Sequence, residues 1–387
     1  MVKKGQVIAE AQAFVASPVH ASISGKVVEI GEYPHPVFGI CPAIVIESDG
    51  ADEWLEGLPL SRDWQVLEPA AIKDIIREAG IVGMGGATFP THVKLSPPAE
   101  KAIDTFILNG AECEPYLTAD HRMMLEQGER IVTGTLIAMK ALGVTKGFIG
   151  IEENKPDAIE AMRRAAGSSG LQVIPLQTKY PQGAEKTLIK VIAGREVPSG
   201  GLPMDVGVVV QNVGTVAAIA DAVERGLPLI ERVVTVTGGA VTEPKNLLLR
   251  IGTTFSQAVE LCGGLQETPA KIIMGGPMMG MAQQSLDVPI IKGVSGILVL
   301  TPADVNAGPQ RPCIRCGRCV SVCPMGLVPN MFSVLGEKGR YQTAKEEYDL
   351  LDCVECGSCV YVCPAKRNIV QYVKLAKAQT AAAAVKK

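Results

Sequence analysis

Eight of the eleven cysteines fall into two runs of identical spacing, Cys313-x2-Cys316-x2-Cys319-x3-Cys323-Pro324 and Cys353-x2-Cys356-x2-Cys359-x3-Cys363-Pro364. Three thiolates at two-residue gaps wrap one cubane, while the fourth, carried away by the Cys-Pro step, reaches the other cluster. The spacing therefore predicts one [4Fe-4S] cluster on Cys313, Cys316, Cys319 and Cys363, and a second on Cys353, Cys356, Cys359 and Cys323. Gly317 and Gly357 suit loops that need left-handed backbone angles and close approach of amides to sulfur. Structural zinc pairs two ligand couplets, and this double register leaves no cysteine over, so iron-sulfur chemistry is the better match. Cys41, Cys113 and Cys262 have no sequence partner and read as buried structural thiols.

A second candidate is the run Gly80-Ile-Val-Gly83-Met-Gly85-Gly86-Ala-Thr-Phe-Pro90, which follows a helical stretch at 70–79. Such a run lays backbone N–H groups against a phosphate or a ring system without side-chain obstruction. Alone it serves equally well as a plain turn. Its company is Lys94 and the segment Asn109-Gly-Ala-Glu-Cys-Glu-Pro115, placed directly after a strand candidate. Strand ends in open α/β sheets carry ligand groups, so these polar residues converge on one crevice, although singly Glu112 and Glu114 fit a solvated turn and Lys94 a surface charge.

The elements that must hold these residues follow from periodicity. Residues 1–60 alternate apolar and polar positions in short runs, as in Gly25-Lys-Val-Val-Glu-Ile30 and Ala43-Ile-Val-Ile-Glu47, and predict a small β module. Over 65–232 helical stretches alternate with buried-strand candidates at 105–109, 147–151, 172–176 and 206–210, the pattern of a Rossmann-like α/β domain. Residues 233–303 carry strand candidates at 233–237 and 296–300, a helix near 256–261 and a Gly/Pro/Met loop at 275–280, predicting a small α+β domain. The cysteine region occupies 304–378, its boundary marked near 307–312, and closes in a helix from Asn368 with a tail at 379–387 that should fray.

With 387 residues, 47% of them hydrophobic, the chain is long enough for several packed domains. A net charge of −3 with signs intermixed gives no footprint for nucleic acid. No apolar run reaches the length of a membrane span, and no secretory signal follows Lys3 and Lys4, so the expected compartment is cytoplasmic and reducing.

Taken in order, Gly83-Met-Gly-Gly-Ala-Thr-Phe-Pro90, Asn109-Gly-Ala-Glu-Cys-Glu-Pro115, Gly183-Ala-Glu-Lys-Thr187 and Gln211-Asn-Val-Gly-Thr215 resemble the flavin-site segments of the NADH-binding subunit of respiratory complex I. Across essentially the whole chain the resemblance is closer to the C subunits of Rnf-type complexes, which combine a barrel-sandwich module, a flavin domain, an SLBB β-grasp domain and a two-cluster ferredoxin tail. The resemblance implies that Gly83, Gly85, Gly86 and Lys94 cradle the phosphate side of FMN and that Asn109 and Glu112 meet its isoalloxazine or ribityl. Gly183 and Glu185 would line the nucleotide cleft, Asn212 and Thr215 would close it, and Phe89 would stack nucleotide.

Two departures stand out: Ala184 replaces a second acid, and Met84 an arginine, of the complex I subunit. Val19-His-Ala-Ser-Ile-Ser-Gly-Lys-Val27 resembles a biotinyl/lipoyl-like barrel without a Met-Lys-Met acceptor, so a structural or docking role is expected. The chain starts inside that motif, which predicts a module short of strands.

The implied function is that of a peripheral subunit on the cytoplasmic face of the membrane, in a ferredoxin:NAD+ oxidoreductase that moves ions. Hydride would pass between NAD(H) and FMN and single electrons through two [4Fe-4S] clusters. Its partners would be integral-membrane and flavin or iron-sulfur subunits, with ferredoxin reached indirectly. Hydride transfer needs positioning rather than a general base, so no catalytic proton donor is assigned, and His20, His35, His92 and His121 read as structural. Two rivals are a cobalamin reductase of the propanediol-utilisation type, in which the barrel follows the ferredoxin region instead of preceding it, and a non-catalytic iron-sulfur relay.

Overall fold

The computed structural model describes residues 1–305 and 308–385. The start of the expected boundary at 307 and the last two residues of the tail lie outside them.

The N-terminal module pairs β1 (Val7–Ala9) with β2 (Val19–His20), and β3 (Gly25–His35) with β4 (Gly39–Ser48), in two antiparallel ribbons. The second ribbon is much longer than the sequence runs that announced it. It projects Ile30, Phe38 and Ile40 into solvent, where no apolar periodicity would mark a strand.

The next domain begins with α1 (Pro69–Glu78), whose proline occupies the first turn and whose Ile72 and Ile76, one turn apart, are fully buried. After α2 (Thr91–Lys94) comes a parallel sheet of β5 (Thr105–Gly110), β6 (Lys146–Glu152), β7 (Gln172–Leu176) and β8 (Val208–Asn212), in the order β7-β6-β5-β8. Helices α3 (Ala119–Glu126), α4 (Gly128–Leu142), α5 (Pro156–Ala166), α6 (Glu185–Ala193) and α7 (Val213–Arg225) cover both faces. A Cβ at Gly134 of α4 would strike the Val216 carbonyl, so glycine is what lets α4 and α7 close on each other. The strand expected at 206–210 starts later, because Pro203–Val206 winds into a short 3-10 turn that Gly207 ends at φ +72°.

The third domain is a mixed sheet, β10-β9-β13-β11-β12, built from β9 (Glu231–Thr237), β10 (Lys245–Arg250), β11 (Lys271–Met274), β12 (Met281–Gln283) and β13 (Gly296–Leu300). Helix α8 (Phe255–Glu260) buries Phe255 and Val259 against Val234, Val236 and Ile297. Strands β10, β11 and β12 fall outside the two apolar runs that mark this domain in the sequence, and β11 and β12 have only four and three residues.

The cysteine domain is an internal repeat. Helices α9 (Arg318–Ser321) and α10 (Pro329–Glu337) recur at one constant offset as α12 (Ser358–Tyr361) and α13 (Ile369–Val385), with α11 (Tyr341–Glu347) between. The tail expected to fray instead continues α13 to Val385. Among the described residues no helix is long and apolar enough to cross a membrane.

Candidate functional site

Strands β6 and β7 extend the sheet to one side of β5 and β8 to the other, so the chain order reverses between β5 and β8, where open α/β sheets form a ligand crevice at their carboxyl ends. Asn109, near the end of β5, and Asn212, which ends β8, are in register with each other. Asn109 Nδ2 donates to Gly183 O at 2.9 Å, and its Oδ1 accepts from Ala111 N at 3.1 Å. Asn212 Oδ1 accepts from Gly214 N at 2.8 Å and so caps α7.

The glycine-rich loop lies against this rim. Met84 N donates to Thr215 Oγ1 at 2.9 Å, and a Cβ at Gly85 would sit 3.5 Å from Asn212 Cβ. Gly86, at φ +110°, has open space where a side chain would project. Met84 is 4% exposed, its side chain turned inward beside Gly214, so the arginine of the complex I subunit is replaced here by a core residue. Gly183 packs its Cα on the Ala111 carbonyl, leaving no room for a Cβ. Lys94 Nζ meets Glu185 Oε1 at 2.6 Å, which puts an ion pair across the cleft, and Phe89 stands 45% exposed at its edge. Ala184 is the N-cap of α6.

The carboxylates have other employment. Glu112 Oε1 and Oε2 accept from Asp120 N and His121 N at 3.0 and 3.1 Å, holding the start of α3, and Lys155 Nζ donates to its carbonyl at 3.1 Å. Burial, with the Asp120 charge beside it, pushes the Glu112 carboxyl up to about 7. Asp120 is also pushed up by burial, against a hydrogen bond of 2.6 Å from Asn212 Nδ2. Glu114, which fits a solvated turn by sequence, accepts from Met278 N and Met279 N at 3.1 and 2.7 Å. It thereby anchors the 275–280 loop of the third domain.

The cysteines gather as two crossed sets. Cys313, Cys316, Cys319 and Cys363 line one cavity of about 370 Å³ of empty space, and Cys323, Cys353, Cys356 and Cys359 line another of about 320 Å³. Left-handed backbone recurs at equivalent points, Arg315 with Glu355 and Gly317 with Gly357, which curls each loop round its cavity. Arg315 N and Glu355 N each point to a thiol, Cys313 Sγ and Cys353 Sγ, at 3.4 Å. No three His, Cys, Asp or Glu side chains among the described residues converge closely enough for a single metal ion. Four thiols spaced round a void fit a cubane instead.

The two cavities sit differently. Cys316 is exposed and its loop open, whereas Cys356 is 7% exposed beneath the third domain, where a Cβ at Gly357 would come 2.6 Å from Met278 O. Tyr180 Oη, from the loop that leads to Gly183, donates to Cys356 O at 2.6 Å. Sequence reading missed Tyr180, which carries no motif signal. Of the unpaired thiols only Cys262 is fully buried; Cys41 and Cys113 are half-buried, Cys113 Sγ accepting from Gly183 N at 3.4 Å. His92 Nε2 bonds Phe14 O and His121 Nε2 bonds Asp157, both at 2.9 Å.

A rim of backbone and short amides, open before Gly86, fits a flavin mononucleotide. Gln211 Nε2, one residue before Asn212, is a buried donor without a partner among the described residues.

Comparison with known proteins agrees with this division. Residues 1–51 match the family described as RnfC Barrel sandwich hybrid domain, 76–221 the Nuo51 FMN-binding domain, 233–282 the SLBB domain and 312–367 the 4Fe-4S dicluster domain. The chain is 66% identical over 382 residues to the C subunit of the proton-translocating ferredoxin:NAD(+) oxidoreductase complex of Clostridium ljungdahlii, covering 99% of this chain and 84% of that one. It is 51% identical to the C subunit of the Na(+)-translocating complex of Acetobacterium woodii, over 96% of this chain and 84% of the other. A solved NAD+-reducing [NiFe]-hydrogenase shares the fold at TM-score 0.57 and 19% identity, over 81% of this chain and 62% of that one.

Proposed function

Since the chain belongs to the family of C subunits of ion-translocating ferredoxin:NAD(+) oxidoreductase complexes, we propose which of its residues hold the redox groups and how the two cysteine sets are ordered between flavin and partner. The family's function is electron transfer between NAD(H) and ferredoxin coupled to ion translocation, with FMN and two [4Fe-4S] clusters. FMN, when bound, interconverts a two-electron hydride and the single electrons that clusters carry.

In this reading Gly83, Gly85 and Gly86 let the backbone approach the flavin, Asn109, Asn212 and Thr215 fix the rim, and Lys94 with Glu185 closes the phosphate side. Gly183 keeps the cleft floor flat, and Phe89 offers a face to nucleotide. Glu112 acts from behind, by holding α3. The Cys353 set with Cys323 is the inner site, next to the flavin crevice, and the Cys313 set with Cys363 is the outer one. The observation that carries the ordering is the bond from Tyr180 Oη to Cys356 O, which ties the crevice wall to one cysteine loop while Cys316 faces solvent. The partners are integral-membrane and flavin or iron-sulfur subunits of the complex, met at the cytoplasmic face.

Anaerobic purification with assay of iron, sulfide and flavin, followed by NADH addition, tests the reading. Bound FMN with about eight irons, both bleached by NADH, is the expected result. Clusters without flavin that ignore NADH would leave a relay subunit only.

A further inference from the structure

We propose that the exposed loop around Cys316 is the docking face for an acidic electron-transfer domain of another subunit of the complex; this rests on the reading that the Cys316 set is the outer site. The internal repeat makes the argument sharp, because its two halves share geometry and differ in charge. Between Pro309 and Gly326 the only charged residues are Arg311, Arg315 and Arg318. Their counterparts in the second half are Leu351, Glu355 and Ser358, with Asp349 and Asp352 close by. A fold that needed these arginines merely to close round a cubane would need them in both halves.

The basic half is also the open one. Arg311, Arg315 and Arg318 are all exposed, and none forms an ion pair among the described residues. By contrast Glu355 is paired with Lys377 at 2.8 Å. Apolar Ile314, 68% exposed, stands among the arginines, with exposed Val320 and Val322 nearby. An apolar centre ringed by arginine is the composition of a protein interface rather than of an idle surface. Beside it opens a groove of about 650 Å³ lined by Arg311, Arg315, Met331 and Val334, whose one acid, Glu337, is already neutralised by Arg367 at 2.8 Å. The occupant that matches unpaired cations round an apolar centre is an acidic surface, steered in by charge and seated over the most exposed thiol of the chain's clusters.

The alternative is that the arginines only offset the negative charge of the nearest cluster. The intact complex separates the two. A photo-cross-linking residue at Ile314 should form an adduct with one other subunit, in a segment rich in Asp and Glu, while the same residue at Tyr361, 81% exposed in the second half, should not. Reversing charge with Arg311→Glu and Arg318→Glu should weaken rebinding of the chain to complex lacking it by about tenfold at low salt and flatten the salt dependence. The Arg→Lys pair should rebind nearly normally, with NADH bleaching of the flavin unchanged in both. Adducts at Tyr361 and none at Ile314 overturn the proposal, as does rebinding indifferent to charge reversal with a shifted cluster potential. If the unaltered chain shows no flavin bleaching by NADH, the flavin reading fails while the docking result stands or falls by itself.

Discussion

Asn109 and Asn212, far apart in sequence, are register partners at the carboxyl ends of adjacent parallel strands, and each donates its amide to a different segment, Gly183 O and Asp120 Oδ2. The rim of the crevice is therefore pinned from two sides before any ligand arrives, which is the preorganisation a bound cofactor needs.

Asn212→Ala should cost about 1 kcal/mol of stability through loss of the α7 cap, and also reduce bound flavin. Asn212→Ser retains a capping oxygen but cannot reach Asp120, so denaturant unfolding should recover while flavin content stays low. Equal recovery of both would show that the amide matters only as a cap.

Tyr180→Phe removes the hydrogen bond to Cys356 O, worth about 1 kcal/mol, and nothing of the ring packing. The electron paramagnetic signal of the cluster on the Cys353 set should change, and that of the cluster on the Cys313 set should not. Identical changes in both would contradict the inner and outer ordering.

Glu112 titrates higher when folded, about 7 against its usual value of 4.5, so the folded state holds its proton more tightly. Its contribution is full below the unfolded value and is lost as pH rises through 7, so stability should decline across that interval. Glu112→Gln, which keeps only one of the two accepting oxygens and cannot ionise, should lower stability overall and flatten the decline in denaturant midpoints measured from pH 5 to pH 8. An unchanged slope would assign the effect to another group, the buried Asp120 first.

Cys323→Ala and Cys363→Ala should each remove about four of eight irons, but from the motif opposite in sequence. Loss of Cys323 should spare the cluster of its own run, the one most open to chelators because Cys316 is exposed. Chelator-resistant iron remaining in the Cys323 variant would show that each motif holds its own cluster.

The cysteine spacing and the α/β strands were legible because their signals are local: fixed intervals for thiols, uninterrupted apolar runs for strands buried on both faces. Strands β10 to β12 were not, since β11 and β12 have only four and three residues and β10, bounded by Lys245 and Arg250, has a partly exposed face, so none carries a clear period. Glu114 read as a turn residue because its partners, Met278 N and Met279 N, lie in another domain.

By itself the sequence determined the chemistry, since a thiolate's capacity to ligate iron and a glycine's freedom to approach a ring belong to residue type and spacing. Which cysteine loop lies under the third domain and which Asn faces which were decided only by the tertiary structure. Both depend on contacts between segments that no spacing rule connects, such as Tyr180 with Cys356 and β5 with β8. The two cysteine runs have the same spacing and differ in charge, and their difference in exposure arises only when the flavin and β-grasp domains cover one of them and leave the other open.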